Sequence, residues 1–223
     1  MRIGVIGAGR IGGNAARLLA AAGHEVMLSF SREPDRLREQ AEAIGERASA
    51  GEVDEAARFG EVVILSVPWR LIDAVLDRAG SLEGKIVIDT TNQYGSGGLE
   101  SLPDGKAAAQ VNQERMPGAR LVKSFNTLTS GFQASEAGRE PHRRVVLFLC
   151  GDDADAKRTV AALIDDAGFA PADVGGLADA SVMEAPRRSG AVYGEEYRPA
   201  EAAAVVEAVR AGTPIPPAPR YED

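Results

Sequence analysis

The chain has 223 residues, 44% hydrophobic and 26% charged, with a formal net charge of −8. This balance fits one large soluble unit and argues against a nucleic-acid partner, since phosphate binding rests on clustered Lys and Arg. A single cysteine rules out an internal disulfide, no run of 18 apolar residues offers a membrane span, and Met1 leads into a strand pattern rather than a basic leader, so a cytoplasmic protein is expected.

The first strand pattern, RIGVIG, runs into Gly7, Gly9 and Gly12 at G-x-G-x-x-G spacing, and the helix pattern NAARLLAAAG follows at once. Strand, glycine turn and helix in that order are the context a dinucleotide fingerprint requires. Gly7 permits the tight turn, Gly9 lets backbone amides approach a pyrophosphate, and Gly12 lets helix and strand pack closely. With Ala8, Arg10 and Ile11 they form the expected cradle, whose helix N-terminus offers free N–H groups and a positive dipole end.

The second strand, EVMLSF, ends where an NAD site usually carries Asp or Glu for the ribose 2′-hydroxyl. Here stand Ser29, Phe30, Ser31 and Arg32 instead. The Ser31 hydroxyl, the planar Arg32 guanidinium and a second cation at Arg36 suit the extra phosphate of NADP(H). Leu37, Ala41 and Ile44 then recur at helical spacing.

The next strand ends in SVPW, placing Ser66, Val67, Pro68 and Trp69 near the far half of the cofactor, with Trp69 either flanking a flat ring or packing in the core. A helix pattern at Leu71, Ile72, Val75 and Leu76 leads to KIVIDT, whose end offers Thr90, Thr91 and Asn92 as neutral hydrogen-bonding groups. The glycine-rich YGSGGLESLPDG reads as a loop insertion. ARLVKSF ends with Lys123 and Asn126, the two candidate catalytic groups facing a substrate. RVVLFLC ends in Cys150, read as a small buried hydrophobe. A helix through Val160, Leu163, Ile164 and Ala167 and a short strand around 169–174 close the regular part.

Continuous apolar strands separated by helices imply a doubly wound, mostly parallel α/β sheet of the Rossmann type over residues 1–180. Residues 181–223 are expected to add a loop, a short helix marked by Ala202, Val205, Val206 and Val209, and an extended proline-rich tail, not an independent domain. That tail would be unordered or laid across a neighbouring subunit, and with the valine face it points to a homodimer. Acid–base machinery is scarce. His24 lies on a turn, His142 in a polar loop, no Tyr-x-x-x-Lys pair stands on a helix, and no His/Cys set has metal spacing, so no metal is expected. A small-molecule redox partner that manages its own protons suits such a site.

IGVIGAGRIGG, SFSREPDRL, VVILSVPW, VIDTTN, LVKSFNT and the closing CGDDADAKRTVAALIDDAGFAPADVGGLADA occur in an order that resembles the NADPH-dependent oxidoreductases of the deazaflavin coenzyme F420. The resemblance covers about residues 1–180. It implies that Gly7 to Gly12 hold the pyrophosphate, that Ser31, Arg32 and Arg36 hold the 2′-phosphate, and that VPW borders the nicotinamide. It further implies that hydride passes directly to F420 stacked on that ring. Two other readings stay open: NADPH-dependent reduction of a small imine or carbonyl polarised by Lys123, Asn126 or Tyr193, and a non-catalytic NADPH sensor.

Overall fold

The apolar runs assemble into one eight-stranded sheet in the computed structural model, which describes residues 1–30 and 34–221. In chain order the first half gives β1 (Arg2–Ile6), α1 (Arg10–Ala21), β2 (Glu25–Ser29), α2 (Pro34–Ile44), β3 (Ala48–Ala50), α3 (Val53–Phe59), β4 (Val62–Leu65), α4 (Ile72–Ala79) and β5 (Ile86–Asp89). A small hairpin, β6 (Tyr94–Gly95) and β7 (Gly98–Leu99), follows. Then come α5 (Ala108–Arg115), β8 (Arg120–Lys123), α6 (Ser130–Glu136), β9 (Val146–Gly151), α7 (Ala154–Asp166), β10 (Ala170–Asp173) and α8 (Pro199–Ala211).

The strand order is β10-β9-β8-β5-β4-β1-β2-β3, parallel throughout except where β9 runs against β8. From β1 the chain builds outward through β2 and β3, then crosses back to β4, β5 and β8. The order therefore reverses between β1 and β4, and the crevice outside those carboxyl ends is where an open α/β sheet binds its ligand.

Both faces of the sheet are covered, which is why its central strands are apolar without alternation. Along β4, Val63 and Leu65 enter one core with Val53, Ile72 and Val205, while Val62 and Ile64 enter the other with Leu19, Val160 and Phe169. Each such side chain, fully buried, contributes about 1.5–3 kcal/mol.

The sequence reading missed β3, α3, α5, α6 and the hairpin. It also placed the proline-rich tail elsewhere. Through residue 221 the tail folds back on its own chain. The Arg198 N–H donates to the Tyr221 hydroxyl at 2.9 Å, and that hydroxyl donates to Glu201 at 3.2 Å. The Arg198 guanidinium lies 3.7 Å from the Tyr221 ring centre.

Candidate active site

The three fingerprint glycines are needed for three different reasons. Gly7 has φ +104°, and a Cβ there would lie 2.2 Å from the Ser66 carbonyl oxygen. Its N–H and that of Ala8 donate to the Ser29 carbonyl at 3.0 and 3.2 Å, tying the turn to the end of β2. At Gly12 a Cβ would stand 2.2 Å from the Gly7 oxygen, so helix and strand could not keep their separation. Gly9 is the opposite case, with no atom within 4 Å of its would-be Cβ.

That open ground lies at the N-cap of α1. Gly9 makes no side-chain cap there, and the first turn holds no acidic residue. Arg10 is exposed beside it, and Ala8 and Ile11 are half-buried. Unpaired amides around a bare glycine fit a diphosphate, so the cradle suits NADP(H).

Ser31 and Arg32 lie outside the described residues. Phe30, just before them, holds the left-handed φ of 57°, and the Arg78 guanidinium lies 5.8 Å from its ring centre. Arg36 is exposed in the first turn of α2.

At the end of β4, Ser66 is half-buried behind the glycine turn, Val67 is buried and Pro68 is exposed. Trp69 is only 4% exposed, and the Arg115 guanidinium sits 4.4 Å from its ring centre. Of the two roles the sequence left open for Trp69, this geometry matches core packing. Thr90, also buried, donates to the Leu65 carbonyl at 3.3 Å.

The ends of β5 and β8 hold a sealed charge cluster. Lys123 is fully buried and donates to Asp89 at 2.9 Å and to the Thr91 carbonyl at 2.5 Å, with Glu184 3.8 Å away. Asp89 also accepts from the Thr91 N–H at 2.8 Å and from Asn112 at 2.9 Å. Both Glu184 oxygens accept backbone N–H groups at the start of α5, from Ala108 and Ala109, each at 2.8 Å. A buried charge is tolerable only when paired and hydrogen-bonded, and all three here are. Lys123 is therefore a structural pin. The expectation that it faces a substrate is corrected, because its ammonium is surrounded by protein. Beside it Cys150 is also fully buried, and that burial pushes its thiol well above the ordinary range.

Asn126 is 5% exposed and reaches across to the C-terminal segment. Its Nδ2 donates to the Met183 carbonyl at 2.6 Å and to Asn92 Oδ1 at 3.3 Å. Asn92 donates to the Asn126 carbonyl at 3.1 Å and accepts the Ala185 N–H at 3.1 Å. Gln93 donates to the Ala185 carbonyl at 3.4 Å, and Arg188 donates to the carbonyls of Ser181, Glu184 and Pro186. These bonds lash residues 181–188 over the carboxyl ends of β5 and β8. Sequence reasoning missed Asp89 and Glu184, although a lone acid closing the apolar IVID was a visible signal for the first.

His24 sits at the amino end of the sheet, 3.0 Å from Asp166, and His142 is exposed in the turn before β9. Among the described residues no group of three or more His, Cys, Asp or Glu is placed to hold a metal, and no helix is long and apolar enough to cross a membrane.

Comparison with known proteins adds context to this geometry. The model of a family described as "NADP oxidoreductase coenzyme F420-dependent" matches residues 2–93. Metalloreductase STEAP3 of Rattus norvegicus is 30% identical over 184 residues, covering 82% of this chain and 36% of that protein. The chain thus spans about a third of the length of that relative. Among solved structures, the hypothetical protein SMa0349 of Sinorhizobium meliloti is 31% identical with a TM-score of 0.77, over 89% of this chain and 95% of its own. A protein of Arthrobacter sp. FB24, described as a candidate F420-dependent NADP reductase, is 26% identical with a TM-score of 0.67, over 81% and 87%.

Proposed function

This chain belongs to the coenzyme F420-dependent NADP oxidoreductase family, and from that premise we propose that it passes a hydride between NADP(H) and F420 or another flavin-like acceptor. NADPH, when bound, supplies the hydride. Gly7, Ala8, Gly9, Arg10, Ile11 and Gly12 would hold its pyrophosphate on the amides of the α1 N-terminus. Ser31, Arg32 and Arg36 would hold the 2′-phosphate. Ser66, Val67, Pro68, Thr90 and Asn92 would border the nicotinamide half, Trp69 supporting that wall from behind.

The observation that carries the acceptor reading is that Asp89, Lys123 and Glu184 satisfy one another out of reach of solvent. What the surrounding strand ends present instead are neutral amides, threonines and phenols. A carbonyl or imine reduction gains on the order of 100- to 10,000-fold from a positioned proton donor tuned near the working pH. A flavin-like ring manages its own protons and does not need one. The test is anaerobic mixing of protein and NADPH with F420, and with FMN in parallel. NADPH consumption with either supports the reading. Tight NADPH binding without turnover by either acceptor refutes it.

A further inference from the structure

Two phenols meet beside the sealed cluster. Tyr94 begins the β6–β7 hairpin just beyond β5, and the hairpin packs on the turn Trp69–Leu71 that follows β4. Tyr193 comes from the C-terminal segment. It is held between the Val192 N–H, which donates to Val182, and the Gly194 N–H, which donates to Thr127 beyond β8, both at 2.8 Å. The two hydroxyl oxygens are 3.4 Å apart, well beyond the usual O–H···O distance of about 2.7–2.8 Å. Neither hydroxyl has another partner among the described residues. The long contact leaves both hydroxyls room to bond a third polar atom placed between them.

Exposed apolar side chains stand on one side of it, with Glu100 and Arg187 near its ends. Tyr94 is 46% exposed, and Leu99, its direct partner across the hairpin, is 40% exposed. Partners directly opposite in an antiparallel pair lie on one face, so ring and aliphatic side chain stand together. Among the described residues only Met1, at the amino end of β1, is a comparably exposed large hydrophobe.

We propose that Tyr94 and Tyr193 form the acceptor subsite: their hydroxyls converge on one carbonyl oxygen of a planar conjugated ring, and Leu99 covers that ring's face. This rests on the reading of the enzyme as a reductase of a flavin-like acceptor. Burial, and then the neighbouring Tyr94, push the Tyr193 phenol upward, so it remains an O–H donor at neutral pH. Two fixed donors on such an oxygen hold the ring and favour the form in which that oxygen is more negative. Binding and orientation, not proton transfer, are the assigned roles.

The experiment is a titration of F420, and separately of FMN, into the NADP⁺-loaded protein, comparing wild type with Tyr94→Phe, Tyr193→Phe, the double variant and Leu99→Ser. Each phenylalanine variant should weaken the bound ring about three- to ten-fold. The double variant should lose less than the product of the two, because both hydroxyls act on one oxygen. NADP⁺ affinity and melting temperature should not change. Wild-type binding that both phenylalanine variants match overturns the tyrosine assignment and leaves the acceptor reading standing. Failure of wild type to bind either ring overturns both.

Discussion

Replacing Lys123 by Met separates a structural pin from a reacting group. The substitution keeps most of the side-chain volume but deletes the ammonium that Asp89 and the Thr91 carbonyl share at 2.9 and 2.5 Å. Removing one partner of a buried ion pair usually costs about 3–5 kcal/mol, much of it from the charge left behind. Here each abandoned carboxylate keeps two donors, Thr91 N–H and Asn112 for Asp89, and the Ala108 and Ala109 N–H groups for Glu184. The loss should therefore fall near the lower bound, about 3 kcal/mol. At roughly 2–4 °C per kcal/mol for a chain of this size, the melting temperature drops by about 6–12 °C. Urea unfolding followed by circular dichroism measures the loss directly. Adding Asp89→Asn to the Met variant should recover part of it by removing one stranded charge. A Met variant as stable as wild type but without turnover would refute the pin and return Lys123 to the chemistry.

Gly9→Val should abolish NADPH binding while leaving the unfolding midpoint close to wild type, since its Cβ meets open space and not protein; calorimetric titration with retained affinity would refute the cradle. Arg32→Ala should weaken NADPH by about 1.5–3 kcal/mol and NADH far less, as loss of a charge-assisted bond to the 2′-phosphate requires; equal losses would remove that role. Asp153 gives a pH prediction. The bidentate Arg120 guanidinium, at 2.8 and 2.7 Å, holds its carboxyl well below the usual range, and the same carboxylate caps α7 through the Ala156 N–H. A depressed folded value means stability present above about pH 4, where the unfolded carboxyl titrates, and lost as pH falls toward the folded value. The stability advantage of wild type over Arg120→Ala should therefore narrow between pH 5 and pH 2, and an advantage constant across that range would refute the assignment.

What could be read locally was read. Val62–Leu65 and residues 86–88 are continuous apolar runs because both sheet faces are covered, and the glycine turn carries its geometry in its spacing. Edge elements escaped for the converse reason. Ala48–Ala50 is short and only half-buried, and the two-residue strands of the hairpin are too brief to show any period. The roles of polar residues escaped because they depend on distant partners. Nothing near Lys123 announces Glu184, and nothing near Asn126 announces the Met183 carbonyl. The same holds for Trp69, since VPW does not say that Arg115 will cover the ring.

The residues that the sequence offered as chemistry, Lys123, Asn126 and Asn92, are thus engaged in holding a segment with no regular structure between Glu184 and Arg198. Ordering such a segment costs about 1–2 kcal/mol per residue in backbone entropy, while each neutral hydrogen bond returns about 0.5–1.5 kcal/mol net. The bonds from Asn92, Gln93, Asn126 and Arg188, together with burial of Ala185, Ala191, Val192 and Tyr197, are what offset that cost. The segment's order is then coupled to the ends of β5 and β8, whereas the cradle at β1 and α1 shares none of these contacts. Loosening the pin should therefore act mainly on the acceptor side of the site, reach the nicotinamide border at Thr90 and Asn92, and leave the pyrophosphate cradle alone. In Lys123→Met, studied below its melting temperature, KM for the acceptor should rise several-fold, and by clearly more than the Kd for NADPH, whose pyrophosphate cradle the pin does not touch. Hydrogen exchange should quicken in residues 183–194 and not in residues 7–20. Equal weakening of both ligands would mean that the two halves of the site are held by one network, and the separation argued from the bonding pattern would fail.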